Sequence, residues 1–355
     1  MPHTDLPSPN EIAAAAQRLM DGELVAFATE TVYGLGADAE QVDAVARIYA
    51  AKGRPSNHPV IVHLAPGADL SYWAAQPVPD VVNALVAEFW PGPLTLIVER
   101  NAQVSDAVSG GQSSIGVRCP SHPVAQALLT AFANLKPNGQ GGVAAPSANR
   151  FGHVSPTLAQ HVVQEFPEEI AAGMPVLQGG ASDIGIESTI LDVSGLDAGR
   201  PATLLRPGAI SAAQLANVLG YTPAAPDANS PRASGTLKAH YAPRTPVQLV
   251  TAARLGEIVG GIDVPDDAHW VVLSFVTAPA GIDPRITWRT LGATPDAYAR
   301  MLYASLRDLD TGEYDRLIVQ QPPDTALWRA VNDRIGRAAA AFDSPQAPPN
   351  SSSAS

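Results

Sequence analysis

Apolar and polar positions along this chain switch repeatedly between a helical period and a strand period. Between residues 10 and 22, Ile12, Ala16 and Leu19 share one helical face, and Ser8 or Asn10 can cap the segment. The apolar run 24–28 predicts a buried strand, and Tyr33-Gly34-Leu35-Gly36 a turn. Val42, Val45, Ile48 and Tyr49 then predict a helix over 42–51. A polar loop, Lys52-Gly53-Arg54-Pro55-Ser56-Asn57-His58-Pro59, leads into a strand at Val60-Ile61-Val62 with His63 at its end. Further helices are predicted over 81–90, 123–132, 158–166 and 211–219. Strands are predicted over 94–98, 115–117, 176–177, 188–193 and 203–206.

Several of these strands follow one another with no helix between them. That argues for a mixed α/β sheet rather than a purely doubly wound one. Residues 221–246 turn rich in Pro, Ala, Ser and Asn and read as an interdomain linker. Beyond it the pattern resumes: strands at 247–250, 270–275, 286–288 and 317–319, helices at 252–259, 295–309 and 327–341. The expected organisation is a first α/β domain over 8–220, the linker over 221–246, and a small βαβ-type domain over 247–342. A disordered tail is expected over 343–355.

Composition narrows the function classes. A hydrophobic share of 46% against 16% charged residues supports a sizeable globular core. The net charge of −12 argues against a surface built mainly to hold nucleic acid. In so acidic a chain, Lys52, Arg54, Arg118 and Arg206, all beside breakers or in polar turns, call for a local reason such as an anionic ligand. Cys119 is the only cysteine, which excludes an intrachain disulfide and fits a reducing compartment. Residues 1–6 carry neither a basic nor an apolar leader region, and no run nears the roughly 18 apolar residues of a membrane span. A cytoplasmic protein without membrane contact is expected.

Signatures of several common sites are missing. There is no GxxxxGK[ST], no GxSxG, no HExxH and no paired CxxC, and Gly34-Leu35-Gly36 lacks the third glycine of a dinucleotide fingerprint. Individually, the remaining polar residues have plain readings. An arginine at a strand end is commonly a solvated cap, Ser147 and Asn149 suit turns, and Cys119 suits a buried structural thiol.

Their order is more telling. Thr29-Glu30-Thr31-Val32-Tyr33-Gly34-Leu35-Gly36 comes first, then Lys52-Gly53-Arg54-Pro55-Ser56-Asn57, His63 and Gly116-Val117-Arg118. Ala145-Pro146-Ser147-Ala148-Asn149, Glu187-Ser188-Thr189 and Leu205-Arg206-Pro207-Gly208 follow. Taken together these resemble the threonylcarbamoyl-AMP synthases of the Sua5/YrdC/YciO family. His240-Tyr241-Ala242-Pro243, followed by a second α/β unit, is similar to the longer, two-domain Sua5 form.

The resemblance implies a YrdC-like mixed twisted open sheet with flanking helices, plus a smaller Rossmann-like C-terminal domain. It implies a nucleotidyltransferase that joins L-threonine, bicarbonate and ATP, with Mg²⁺, into threonylcarbamoyl-AMP and pyrophosphate. Downstream transferase proteins would carry the threonylcarbamoyl group to adenosine 37 of tRNAs reading ANN codons, with at most weak contact between this chain and tRNA. By similarity, Thr31, His63, Arg118 and Ser188 would contact threonine. Arg54, His58, Ser114, Ser147, Asn149, Ser155, Arg206 and Tyr241 would contact ATP, Lys52 and Arg54 would serve catalysis, and the metal ligands are left open. His58 departs from the expected asparagine, and Gln140-Gly141-Gly142 is an unfamiliar insertion.

The residue types suit that chemistry. An anionic carbamate must approach an anionic triphosphate, so preorganised cations and N–H donors have to offset the repulsion. Arginine binds two oxygens of a carboxylate or phosphate at once. A carbamoyl-adenylate former with another acceptor and a non-catalytic RNA-binding module are the competing readings.

Overall fold

The computed structural model describes residues 6–343. The chain starts with α1 (Pro9–Met20), where Ser8 and Glu11 close a reciprocal capping box. The antiparallel pair β1 (Val25–Phe27) and β2 (Gly34–Asp38) follows, then α2 (Val42–Lys52) and β3 (Ile61–Leu64). A short α3 (Leu70–Trp73) and α4 (Asp80–Phe89) lead to β4 (Leu94–Glu99) and β5 (Ser114–Arg118). Next come α5 (Pro123–Leu135), β6 (Gly142–Ala144), α6 (Ala159–Glu165), α7 (Pro167–Ala171) and β7 (Val176–Leu177). The antiparallel strands β8 (Thr189–Asp192) and β9 (Thr203–Arg206) and helix α8 (Ala212–Leu219) complete this part.

These nine strands form one mixed sheet in the order β7-β1-β2-β6-β3-β5-β4-β8-β9. Side chains alternate between its faces as the two-residue period requires. Val25 and Phe27 pack under α1 and α5, while Ala26, Ala28 and Leu35 meet Val162 and Phe166 near α6.

Two readings of the sequence need correction. The stretch expected to turn at Gly34 and Gly36 is a strand. A Cβ on Gly36 would lie 2.8 Å from Val143 and 2.9 Å from Phe27, so glycine here permits close packing rather than a turn. His63 does not end its strand but lies inside β3, paired with Arg118 of β5 and Val143 of β6.

The second unit holds β10 (Val247–Val250), α9 (Ala252–Val259), β11 (Trp270–Ser274), β12 (Ile286–Thr290), α10 (Pro295–Asp308), β13 (Arg316–Gln320) and α11 (Arg329–Ala340). Its sheet, ordered β10-β13-β11-β12, is wholly parallel. Such a sheet needs cover on both faces. Leu255 and Ile258 of α9 cover one face, and α10 and α11 cover the other. That second apolar layer also takes in Val32, Val154, Ile186 and Tyr241, so the core of the second unit is continuous with the first. Among the described residues no helix is long and apolar enough to cross a membrane.

Candidate functional site

Arg118, the last residue of β5, shows how the sheet builds the site. Its buried guanidinium donates to Thr31 Oγ1 at 2.9 Å and to the Gly92 carbonyl at 3.2 Å, and pairs with Glu30 Oε1 at 2.7 Å. Burial alone would raise the Glu30 carboxyl. The adjacent Arg118 charge and hydrogen bond outweigh it and hold Glu30 below its usual range. Thr29 fixes the preceding turn, its hydroxyl accepting from the Val32 amide at 3.2 Å. His63 is buried beside Arg118, and burial followed by that charge drives its pKa down to about 3, leaving the imidazole neutral. Cys119, next in the chain, is a buried free thiol that burial pushes up to about 11, which makes it inert.

Lys52, at the end of α2, is almost fully buried and donates to the Ser147 carbonyl at 2.6 Å and to the Asn149 carbonyl. Burial holds its pKa well below the ordinary lysine value. Its visible task is to clamp the Pro146–Asn149 turn in place. Arg54 donates to the Pro59 carbonyl at 2.8 Å, and its guanidinium lies 5.7 Å from the centre of the Phe151 ring. Its buried Nε has no hydrogen-bond partner, and neither has Asn149 Oδ1 or His240 Nδ1. Burial brings Arg54 down to about 10, still charged at neutral pH.

Arg206, ending β9, donates to the Ser188 carbonyl at 3.0 Å, Ser188 Oγ at 3.1 Å and the Ser234 carbonyl at 2.8 Å. Thr95 also bonds Ser188 Oγ, at 2.8 Å. Ser234, Gly235, His240 and Tyr241 of the following segment join the pocket wall. Gly235 adopts φ +74°, and a Cβ there would strike the Tyr241 hydroxyl, so only glycine permits this approach.

One concavity unites these groups. Thr31, Lys52, Arg54, His63, Arg118, Ser147, Asn149, Ser188, Arg206 and Tyr241 all line it. Three anticipated residues do not. His58 stands beside Phe151, ring centres 5.3 Å apart, one aromatic layer behind the wall. Ser114 opens β5, four residues and about 13 Å along the strand from Arg118. Ser155 is fully buried and spends its hydroxyl on Glu187 Oε1 at 2.5 Å. Phe151, Ser234 and Gly235 line the pocket without having been singled out. The Ser-Gly pair inside a Pro-rich stretch was the only local hint of them, and a weak one.

Three guanidinium groups around one hollow, beside the buried Lys52, suit carboxylate and phosphate. The site does not fit a protein-held metal. Among the described residues no three His, Cys, Asp or Glu are placed to hold a metal ion together. Glu187, the carboxylate on the wall, is committed to Ser155, Tyr303 and Arg334.

The chain matches two family profiles. Residues 17–208 match the Sua5/YciO/YrdC profile, described as telomere recombination, and residues 210–340 match the threonylcarbamoyl-AMP synthase C-terminal domain. A threonylcarbamoyl-AMP synthase of Bacillus subtilis is 36% identical, with 93% of each chain covered. One from Pyrococcus abyssi is 33% identical, covering 92% of this chain and 94% of its own. The crystal structure of P. abyssi Sua5 complexed with L-threonine superposes with a TM-score of 0.81 at 32% identity, over 94% of this chain and 95% of that one.

Proposed function

Since the chain belongs to the Sua5/YciO/YrdC family in its two-domain form, we propose that it is an L-threonylcarbamoyladenylate synthase, a nucleotidyltransferase. Its substrates are L-threonine, bicarbonate and ATP, the last carrying Mg²⁺. The observation that supports this most strongly is the convergence of Arg54, Arg118, Arg206 and Lys52 with Ser147, Asn149 and Ser188 on one hollow in an acidic protein.

In this reading Arg118 takes the threonine carboxylate, with Thr31, His63 and Ser188 around the rest of the amino acid. The threonine amine adds to bicarbonate with loss of water, giving a carbamate. A carbamate oxygen then attacks the α-phosphorus of ATP, the bond to the β,γ-phosphates breaks, and pyrophosphate leaves. Arg54 and Arg206 offset the charge of the phosphates. Ser147, Asn149 and Tyr241 line the nucleotide end, and Lys52 contributes by holding their turn. No lining residue is placed as an evident general base, so positioning and electrostatics carry the step. The product would pass to downstream tRNA threonylcarbamoyl transferase proteins.

Following pyrophosphate while the protein is incubated with ATP, bicarbonate and single amino acids tests the reading. Release should require threonine and bicarbonate together. Release that ignores threonine would instead identify a carbamoyl-adenylate former with another acceptor.

A further inference from the structure

The wall of the pocket is held from behind by the second unit. Arg334 of α11 is fully buried and reaches across to Glu187, donating from Nε to Oε2 at 2.7 Å and from an η nitrogen to the backbone carbonyl at 3.3 Å. Tyr303 of α10 donates to the same Oε2 at 3.0 Å. Glu187 immediately precedes Ser188, whose hydroxyl and carbonyl both receive Arg206.

The same arginine reaches the linker. Its guanidinium lies 5.5 Å from the centre of the Tyr241 ring, and Tyr303 lies 5.6 Å away. Tyr241 has φ +62°, an uncommon backbone for a bulky residue that its surroundings must enforce. One turn of helix further on, Arg337 donates to the Leu237 carbonyl and accepts, through its own carbonyl, from the His240 amide at 3.2 Å.

We infer that Arg334 is a positioning residue for the pocket of the first unit, fixing both the Glu187-Ser188 segment and the Tyr241 ring where substrate meets them. This rests on the synthase reading. A buried carboxylate that loses its cation becomes costly to keep ionised. Glu187 is faced by Arg334 on α11, Tyr303 on α10, Arg206 on β9, Ser155 before α6, and His240 and Tyr241 on the linker. Burial pushes its carboxyl up, and Arg334 first, then Arg206 and the Ser155 hydroxyl, bring it to about 2. Without Arg334 the carboxyl shifts upward, so its protonation should enter the activity profile as a partial recovery towards lower pH.

The test measures pyrophosphate release by the full chain, with threonine titrated, at pH 6–8.5. R334M should raise the threonine KM about tenfold or more, as expected for loss of charge-assisted hydrogen bonds. kcat should fall less, and the loss should ease towards pH 6 as Glu187 takes up a proton. E187Q/R334M, lacking the stranded charge, should lose that pH dependence and exceed both single variants. R300A is the control, because Arg300 also crosses the interface, donating to the Asp183 carbonyl at 2.7 Å outside the pocket. It should lower thermal stability but leave the threonine KM within about twofold. If R334M does not fold, the double variant is compared with E187Q alone and should be the better enzyme. The proposal is overturned by an R334M threonine KM within twofold of the unaltered chain, by an equal KM shift in R300A, or by a double variant no better than E187Q. Failure of the synthase reading would look different, since the unaltered chain would then release no threonine-dependent pyrophosphate.

Discussion

His63, His161 and His240 are all buried, and burial is the first cause that lowers each, to about 3, 4 and 3. Unfolding restores an ordinary pKa near 6.5, so the unfolded chain binds more protons than the native one between about pH 6.5 and 3. Stability is therefore complete above pH 6.5 and declines as pH falls, by up to roughly 1.4 kcal/mol per pH unit for each imidazole. Calorimetry at pH 7.5, 6.5, 5.5 and 4.5 should show a falling thermal midpoint below 6.5; a flat profile would mean these rings are not held neutral. Glu187, held at about 2, adds a loss only below the ordinary carboxylate range. Arg118 offers a separate test. R118A should weaken threonine binding by about 1.5–3 kcal/mol, the worth of hydrogen bonds to a charged group, with a smaller effect on an ATP analogue. Titration calorimetry with each ligand decides it. The variant should also melt lower, because Glu30 would stay buried without its cation.

At the scale of the elements, glycines in the first sheet act as spacers. G36A places a methyl 2.8 Å from Val143, 2.9 Å from Phe27 and 3.1 Å from the Val25 carbonyl. Overpacking of this kind costs about 1–3 kcal/mol, so the urea midpoint should fall at unchanged slope. This strand also marks where sequence reading failed. Gly34 and Gly36, three and five residues beyond Thr31, read as a turn because local propensity cannot register that Phe27 and Val143 close in on Gly36 from either side. The helices were far more legible. Ser8, Ser211 and Thr294 each cap a helix near the place the pattern indicated, since capping and apolar spacing are local. The pocket residues were legible as short motifs at strand ends. Arg334 and Tyr303 were not, because their partner Glu187 lies 147 and 116 residues away and nothing beside them announces a buried carboxylate.

At the scale of the molecule, the two sheets share one apolar layer, and the segment between them serves as part of the pocket wall rather than as a tether. A chain ending before Ser230 would lose Tyr241, Tyr303 and Arg334 and bare Val32, Val154 and Ile186 to water. We expect it to fold with a lower thermal midpoint and strongly reduced turnover. Undiminished pyrophosphate release would show that neither the linker nor the second unit shapes the site. One feature of the site turns into a tool without any engineering. Cys119 is the chain's solitary thiol, buried and unreactive directly after Arg118 in the chain. A colour-forming disulfide reagent added to the native protein should label it only when the buried segment that ends β5 opens to solvent. Slower labelling with threonine and an ATP analogue present would show that ligand binding holds that segment closed, and labelling as fast as in urea would show that Cys119 is not protected by the fold.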